Sequence, residues 1–341
     1  MKNYVGVCLI GAGRAGMIHA RNYIANVPFA KIVAVAEPFA ETREAALREL
    51  GIGNGYESFE EALKNPDVDA VIIATPTKYH RDACVAAAKA GKHVFCEKPM
   101  AMTVDECDDM IKACRENGVK LQLAFMRRFD ASFRAAKSRI DAGDIGDVVL
   151  VKSNTRGPNQ PKPWMYDISK SNGPLAEVCS HDIDSLRWFT GSEYKRVYAV
   201  GANYRCPDAK AEFPDFYDNV IMSCEFENGM QGQIDGAQYV KYGYDARVEI
   251  LGTDGLITLG STYANSVVVF KKNKIAEAEH VTGWQSLFAE AYLEEDRHFI
   301  DCVLNDKEPS VTGHDGKMVV KVVLEGNRSI REHRIVDLTS E

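Results

Sequence analysis

The chain has 341 residues, 45% of them hydrophobic and 26% charged, which is long enough for two globular domains. Its net charge of −8 argues against a general nucleic-acid binder, because phosphate binding needs a basic surface. No apolar run approaches the roughly 18 residues of a membrane span. The N-terminal apolar stretch ends at Gly11, so no signal peptide is predicted.

Cysteine usage indicates the compartment. The nine cysteines include no CxxC pair, which predicts reduced thiols in a cytoplasmic protein. Cys179 and His181 stand close together, but no second group of ligands completes a set, so no metal site is predicted.

The first third of the chain alternates apolar strands with helical segments. Continuous apolar runs of this kind are typical of strands buried on both faces. The predicted strands are 4–10, 31–37, 69–75, 93–99 and 119–125, and the predicted helices are 14–25, 40–50, 79–90 and 103–116. This alternation predicts a mostly parallel sheet with right-handed crossovers.

After a helix at 130–142 the pattern changes to strands. Strands are predicted within 148–154, 196–204, 219–237, 246–260 and 266–272, and helices at 171–190, 286–304 and 313–330. Asn228-Gly229 and Thr253-Asp254-Gly255 are turn signals between alternating runs. We therefore predict an α/β protein with a parallel α/β domain over 1–125. An α+β domain with an open, mostly antiparallel sheet is predicted over 126–341.

The first strand leads into a glycine-rich turn, Gly11-Ala12-Gly13-Arg14-Ala15-Gly16, followed by Met17. In GxGxxG the first glycine permits the tight turn, the second lets the backbone approach a pyrophosphate, and the third lets helix and strand pack closely. Free N–H groups at the helix start favour that anion. The motif predicts a Rossmann dinucleotide site at these residues. The alternative is a turn with incidental glycines.

Glu37 stands at the end of the second strand. An acidic residue at this place accepts hydrogen bonds from the adenosine ribose and repels a 2′-phosphate, which favours NAD over NADP. Arg43 follows six residues later and leaves use of NADP open. The alternative is a solvated surface glutamate.

Ligands of open α/β sheets bind beyond the carboxyl ends of the strands. The residues predicted there to contact the cofactor are Thr75, Pro76, Thr77, His80, Glu97 and Lys98. A lysine that leaves a buried strand at this edge can bond a substrate oxygen and stabilise developing alkoxide charge. The alternative for Lys98 is a surface residue that covers apolar neighbours with its stem.

Further motifs complete a resemblance to a known family. They are FMRRFD (125–130), SHDIDSLRW (180–188), KYGYD (241–245), EILGTDG (249–255), and WQ (284–285) followed by Tyr292. With GxGxxG, Glu37, TPTKYH (75–80) and FCEKP (95–99), they resemble the glucose–fructose oxidoreductase and inositol dehydrogenase (GFO/IDH/MocA) family over nearly the whole chain. Within it the chain is most similar to bacterial inositol 2-dehydrogenases. The resemblance implies a Rossmann domain, an open-sheet domain, and NAD- or NADP-dependent hydride transfer at a sugar or polyol carbon.

The resemblance also implies roles for individual residues. Lys98 matches the family's catalytic lysine and His181 its catalytic histidine, with Asp184 as the final acid of the H-x-I-D pattern. Glu177 stands where the family usually has aspartate. Gly157 replaces an asparagine that contacts inositol, so both positions put the identity of the polyol in doubt. The expected substrate residues are Lys98, Met126, Arg127, Arg156, Gly157, Glu177, His181, Tyr244 and Tyr292, while Arg127 and Trp284 are also expected at the cofactor.

These residues suit oxidation of a secondary alcohol. Histidine has an unperturbed pKa of about 6.5 and can act as base, while Lys98 favours the alkoxide. Glu177 and His181 at i and i+4 of one helix would share a face, and NAD accepts the hydride without a metal. Read alone, the helix favours a packing element with a structural histidine, and the other motifs reverse this interpretation. The aromatic residues likewise remain open between pocket lining and packing.

The sequence therefore predicts an NAD-dependent dehydrogenase of an inositol or similar cyclic polyol. One alternative keeps the chemistry but takes a pyranose sugar or glycoside, and a second is a non-catalytic NAD-binding regulator. No nucleic-acid or membrane partner is expected. A homo-oligomer, dimer or tetramer, is expected because the open sheet needs a cover for its outer face.

Overall fold

The computed structural model describes residues 3–338, which divide into two compact units. The first unit comprises residues 3–129 together with Glu290–Val320. The second unit comprises Asp130–Ala289 together with residues 321–338. Within the described residues, no helix is both long enough and apolar enough to cross a membrane.

The first unit is built on a six-stranded parallel sheet with the strand order β3-β2-β1-β4-β5-β6. Its predicted strands and helices are all present, and the short β3 and α3 are additions that sequence periodicity does not reveal. In chain order the elements are β1 (Val5–Ile10), α1 (Arg14–Ala25), β2 (Ala30–Ala36), α2 (Ala40–Leu50), β3 (Gly55–Tyr56), α3 (Phe59–Ala62), β4 (Ala70–Ile73), α4 (His80–Lys89), β5 (His93–Cys96), α5 (Val104–Glu116) and β6 (Leu121–Leu123).

Short polar side chains start several helices. The Thr103 hydroxyl accepts a hydrogen bond from the Glu106 N–H at 3.2 Å at the start of α5. Asp130 accepts from the N–H groups of Ser132 and Phe133 before the next helix. Such caps satisfy N–H groups that have no partner inside the helix.

The second unit contains a seven-stranded sheet with the order β12-β11-β7-β10-β9-β8-β15, in which β7 and β10 are parallel and all other pairs antiparallel. The remaining elements, in chain order, are α6 (Ala131–Asp141), β7 (Val148–Gly157), α7 (Ile168–Ser171), α8 (Gly173–Glu177), α9 (Ser180–Thr190), β8 (Tyr194–Ala202), β9 (Asn219–Phe226), β10 (Gln231–Gln238), β11 (Asp245–Gly252), β12 (Leu256–Leu259), β13 (Tyr263–Phe270), β14 (Ala276–His280), α10 (Trp284–Leu287), α11 (Ala289–Leu304), α12 (Gly313–Glu332) and β15 (Val336–Asp337).

Both predicted turns of this sheet are confirmed. Gly229 has φ +86° and its N–H donates to Phe226 O at 3.0 Å, which closes the β9–β10 hairpin. Gly252 N–H donates to Gly255 O at 2.9 Å between β11 and β12. The predicted mostly antiparallel sheet is therefore confirmed, with one parallel pair inside it.

The predicted division at 125/126 assigns every later residue to the second domain, whereas Glu290–Val320 belong to the first compact unit. The reason is packing. The α11 side chains Leu293, Phe299 and Ile300 are members of the hydrophobic core built on β1, β2 and α1. Periodicity predicts a helix at this position but does not say which core its apolar face joins.

The single helix predicted over 171–190 is wrong, because the chain bends between α8 and α9. The Val178 N–H still donates to Pro174 O, four residues back, at 2.9 Å. The Cys179 N–H donates to the same oxygen, five residues back, at 3.2 Å, which departs from the α-helical pattern. The bend places Cys179 against Gly236 of β10. A Cβ added to Gly236 would lie 2.2 Å from the Cys179 sulfur. Helical spacing across 177–181 therefore no longer determines which side chains share a face.

Candidate functional site

The glycine turn after β1 has the geometry that a dinucleotide requires. Gly11 has φ +94°, and a Cβ there would lie 2.8 Å from Ala74 O. A Cβ on Gly16 would lie 2.1 Å from Gly11 O, so this glycine permits close packing of α1 on the turn. A Cβ on Gly13 would meet nothing within 4 Å. The space in front of Gly13 is open for a pyrophosphate.

The start of α1 is likewise suited to an anion. The helix begins at Arg14, followed by Ala15, with no side-chain cap on Gly13 and no acidic residue in its first turn. Met17 is buried and its N–H donates to Gly13 O at 3.0 Å. The helix dipole and the N-terminal N–H groups therefore face the glycine turn with no acidic residue in the first turn of the helix itself.

Glu37 follows β2 and is buried beside the glycine turn, with 7% of its surface exposed. One carboxylate oxygen accepts the Ala12 N–H at 3.0 Å, and the other accepts the Phe39 N–H at 3.2 Å. The predicted alternative of a solvated surface glutamate is therefore wrong. Arg43 donates to the Glu37 carbonyl oxygen at 2.6 Å, so its guanidinium lies beside the same segment.

The turn after β4 contributes polar groups at the same sheet edge. The Thr75 hydroxyl is buried and has no hydrogen-bond partner within residues 3–338. Pro76 is exposed and Thr77 is buried. The buried His80 ring lies 2.8 Å from Thr75 O and 2.9 Å from Pro99 O, so it links the turns after β4 and β5. Burial lowers the pKa of His80.

Glu97 and Lys98 directly follow β5. Glu97 is 7% exposed and Lys98 is half-buried. One Glu97 oxygen accepts the Lys98 backbone N–H at 3.0 Å, and the other lies 3.2 Å from Nε2 of His19 on α1. His19 was not among the predicted site residues, although it stands three residues after Gly16 on the same face of α1.

The segment after β6 brings two more predicted residues into the first unit. Met126 and Arg127 lie in a 3₁₀ turn, and both are buried, with 1% and 0% exposure. Tyr292 of α11 is also buried, and its ring contacts the edge of the His19 ring at a centroid distance of 5.5 Å. These residues share the first unit with Lys98.

In the second unit α9 is buried on nearly all sides and carries three buried ionisable residues. His181 is 6% exposed, and Asp182 and Asp184 are completely buried. The Ser153 hydroxyl of β7 donates to Asp182, which attaches the start of α9 to the sheet. Glu177 is half-buried at the end of α8. Burying a carboxylate costs free energy unless other groups compensate it, and for Asp182 the Ser153 hydroxyl is one such group.

Gly157 and Tyr244 lie together. A Cβ on Gly157 would meet only the Tyr244 ring, at 3.9 Å. Tyr244 is buried, and its N–H donates to Val281 O at 2.7 Å. Trp284 begins α10 in the same unit and is half-buried. A Cβ at Gly157 would therefore fit in ordinary van der Waals contact with Tyr244.

Arg156 faces the other side of the sheet. Successive side chains of a strand alternate between faces, and Ser153 of β7 points to α9. The Arg156 guanidinium instead bonds Asp235 and lies 3.7 Å from Asp245. Adjacent strand positions point apart, so the Arg156 side chain leaves the sheet on the face opposite to position 157. The expected contact of both residues with a substrate stays a prediction.

The chain was compared with protein families and solved structures. The family model described as an oxidoreductase family with an NAD-binding Rossmann fold (GFO/IDH/MocA) matches residues 5–125. The model of the GFO/IDH/MocA C-terminal domain matches residues 133–258.

Two curated relatives illustrate the similarity. The scyllo-inositol 2-dehydrogenase (NAD(+)) of Bacillus subtilis is 36% identical, over 99% of this chain and 97% of the relative. The myo-inositol 2-dehydrogenase of Thermotoga maritima is 32% identical, over 97% of both chains. Among solved structures, scyllo-inositol dehydrogenase from Lactobacillus casei with bound NAD(H) and scyllo-inositol superposes with a TM-score of 0.89 at 29% identity. That superposition covers 98% of this chain and 99% of the other.

The family models together cover more than half of the chain, and relatives above 30% identity extend over nearly all of it. The predicted Rossmann domain, the open-sheet domain and the dependence on NAD are confirmed by these matches. The chain belongs to the GFO/IDH/MocA family of oxidoreductases and is an NAD-dependent enzyme.

Proposed function

We propose that the protein oxidises a secondary ring hydroxyl of an inositol, or a similar cyclic polyol, to the ketone. The observation that carries the proposal is the near full-length similarity to inositol 2-dehydrogenases of Bacillus subtilis and Thermotoga maritima. NAD, held at Gly11, Gly13, Gly16 and Glu37, supplies the hydride acceptor when bound. The chain itself must bind the polyol, hold its hydroxyl and move the proton.

In the first unit we assign the substrate oxygen to Lys98. It follows β5 at the sheet edge that also carries Thr75, where ligands of open α/β sheets bind. An ammonium group donating to the hydroxyl oxygen stabilises the negative charge that develops as the proton leaves. Met126 and Arg127, buried in the turn after β6, are proposed to shape the neighbouring wall.

In the second unit we assign the proton to His181. It stands on α9 and is nearly buried, so water competes poorly for its ring. A neutral imidazole takes the proton from the hydroxyl as hydride leaves the carbon. Asp184 is proposed to support the charged ring, and Glu177 to bind a neighbouring hydroxyl. Both are proposals from the family pattern, because the bend at Val178–Cys179 removes the argument from helical spacing.

A pyranose substrate remains a second candidate, and one observation favours it. Gly157 has no side chain where the family pattern has asparagine, and a Cβ there would contact the Tyr244 ring at 3.9 Å. A pocket with glycine at this position has more room and one hydrogen-bonding side chain fewer than a pocket with asparagine. It therefore accepts a ring that carries an extra substituent more easily.

The two substrate classes are separated by a substrate panel. Purified protein with NAD is incubated with scyllo-inositol, myo-inositol and several free or methylated pyranoses, and NADH absorbance is followed. We expect the highest kcat/KM with an inositol. Turnover of a pyranose with none on any inositol would refute the inositol proposal and support the second candidate.

The assigned lysine is tested by Lys98→Ala, with Lys112→Ala as the control, because Lys112 is an exposed lysine of α5. We expect Lys98→Ala to lower kcat by about 100-fold or more, the effect typical of losing one group that stabilises transition-state charge. Unchanged turnover in Lys98→Ala would contradict the assignment. NAD binding by an inactive wild-type protein would support a regulator instead.

A further inference from the structure

A buried charged chain lies behind the segment that carries Lys98. The His19 ring on α1 is completely buried, with Nδ1 2.7 Å from Asp296 Oδ1 and Nε2 3.2 Å from Glu97 Oε1. Asn22, one turn away on α1, donates to the other Asp296 oxygen at 2.9 Å. These residues belong to the first compact unit, and Asp296 comes from α11. The ring therefore bridges α11 and the end of β5.

The contacts determine the state of the ring. Both ring nitrogens face carboxylate oxygens, and a carboxylate accepts but does not donate hydrogen bonds, so both nitrogens need a proton. Burial by itself disfavours the imidazolium, but the charges of Asp296 and Glu97 outweigh it and raise the pKa of His19 well above its usual value. Burial likewise opposes ionisation of Glu97, yet the bond from His19 holds the pKa of Glu97 below its usual value. Burial raises the pKa of Asp296 above its usual value, although the contact with His19 opposes this. The His19 ring is thus held between two buried carboxyl groups, with one ring nitrogen facing each.

The ring is also held in one plane. Phe95 packs against it edge-on at a centroid distance of 4.9 Å, and Tyr292 does so at 5.5 Å. The His19 ring that bonds Glu97 is therefore held in its orientation by packing. The second Glu97 oxygen accepts the Lys98 N–H at 3.0 Å, so the Glu97 carboxylate joins the His19 ring to the backbone of the lysine.

Stability alone is a weak reason for this arrangement. Desolvating buried ions costs several kcal/mol each, and well-packed apolar residues of similar volume often stabilise a protein equally well. A directional charged contact is worth that cost where it fixes the position of a reacting group. The group at the end of this chain of contacts is Lys98.

We propose that His19, held by Asp296, is a positioning residue that fixes Glu97 and through it the peptide bearing Lys98. The proposal rests on the proposed function in so far as Lys98 contacts the reacting oxygen. It adds a role for His19 and Asp296 of the first unit, neither of which need touch the substrate or NAD.

The test compares His19→Gln, which is neutral and can donate to only one of the two carboxylates through its amide, with His19→Leu, which donates to neither. We expect kcat to fall about tenfold for His19→Gln and further for His19→Leu, while KM for NAD changes less than about threefold. Tyr23→Phe is the matched control, because Tyr23 is buried one turn along α1 and its hydroxyl has no partner within residues 3–338. We expect it to change the melting temperature but not kcat.

A double-mutant cycle isolates the effect of the His19–Glu97 contact on kcat. In a Glu97→Gln background, His19→Gln should lower kcat by less than about twofold, since its partner charge is already absent. Equal effects in both backgrounds would show that His19 acts on the enzyme as a whole and would overturn the proposal. If His19→Leu does not fold, the His19→Gln arm gives the same comparison.

A readout without turnover keeps this inference separate from the proposed function. Labelling of lysines by an amine-reactive reagent, followed by mass spectrometry, reports the surroundings of Lys98 even if no polyol is oxidised. We expect the labelling rate of Lys98 to change at least about threefold in His19→Gln, with the exposed Lys112 unchanged. Equal rates at Lys98 in wild type and variant would overturn the positioning role, whatever the substrate.

Discussion

Replacing Glu295 by glutamine should stabilise the protein increasingly as the pH rises. Glu295 lies on α11, is completely buried, and neither carboxyl oxygen has a hydrogen-bond partner within residues 3–338. Burial raises the pKa of Glu295 well above its usual value, and the charge of His19 only partly offsets this. The folded state therefore keeps a proton that the unfolded chain releases.

The sign and size of the stability change follow from the difference between the pKa values of Glu295 in the folded and unfolded states. Below the unfolded pKa of about 4.5 both states are protonated and the group costs nothing. Above it only the unfolded state ionises, so folding stability falls by about 1.4 kcal/mol per pH unit until the folded pKa is reached. Glu295→Gln has no proton to lose. Relative to wild type, its free energy of unfolding should rise by about 1.4 kcal/mol per pH unit from about pH 5 upward.

The measurement is urea unfolding followed by circular dichroism at several values between about pH 5 and pH 8. A buried amide that lacks partners adds a constant offset, so the slope is the quantity that tests the argument. Glu290→Gln, which removes an exposed carboxylate from the same helix, shows what losing one negative charge does by itself. A difference that is flat with pH for Glu295→Gln would refute the reasoning and show that Glu295 is ionised when folded.

Three further predictions concern the nucleotide turn and the substrate pocket. Glu37→Ser should raise the NADP/NAD ratio of kcat/KM by about tenfold or more, since it removes the carboxylate that repels a 2′-phosphate; an unmoved ratio in steady-state assays would show that Glu37 does not face the ribose. Gly13→Val should fold normally but bind NAD more weakly by fluorescence titration, because its Cβ meets open space. Gly16→Val should lose about 1–3 kcal/mol of stability, because its Cβ would be forced against Gly11 O. Similar melting temperatures for Gly13→Val and Gly16→Val would contradict this. Gly157→Asn should fold, since only the Tyr244 ring lies near, and should increase the preference for inositol over pyranoses in the substrate panel; a preference unchanged would place Gly157 outside the pocket.

Much of this protein could be predicted from short stretches of sequence. Apolar runs and the helices between them predict the parallel sheet, because burial on both faces demands continuous hydrophobicity. Gly11, Gly13 and Gly16 stand in a six-residue motif whose backbone needs are local. The Asn228-Gly229 hairpin is equally local, since the turn type is determined by two residues.

Contacts between distant segments could not be predicted in this way. His19 and Asp296 are 277 residues apart, and nothing around either shows that one faces the other. The bend at Val178–Cys179 depends on Gly236, which admits the Cys179 sulfur against β10.

The sequence by itself determined the family, the α/β architecture and the chemistry of the residues at the strand ends, because these depend on local pattern and residue type. Only the tertiary structure decided that α11 packs into the first unit, that Arg156 bonds Asp235 of β10, and that the His19 ring lies behind Lys98. Packing selects among many arrangements that share the same local pattern. Its outcome depends on the shape and charge of side chains far apart in the chain.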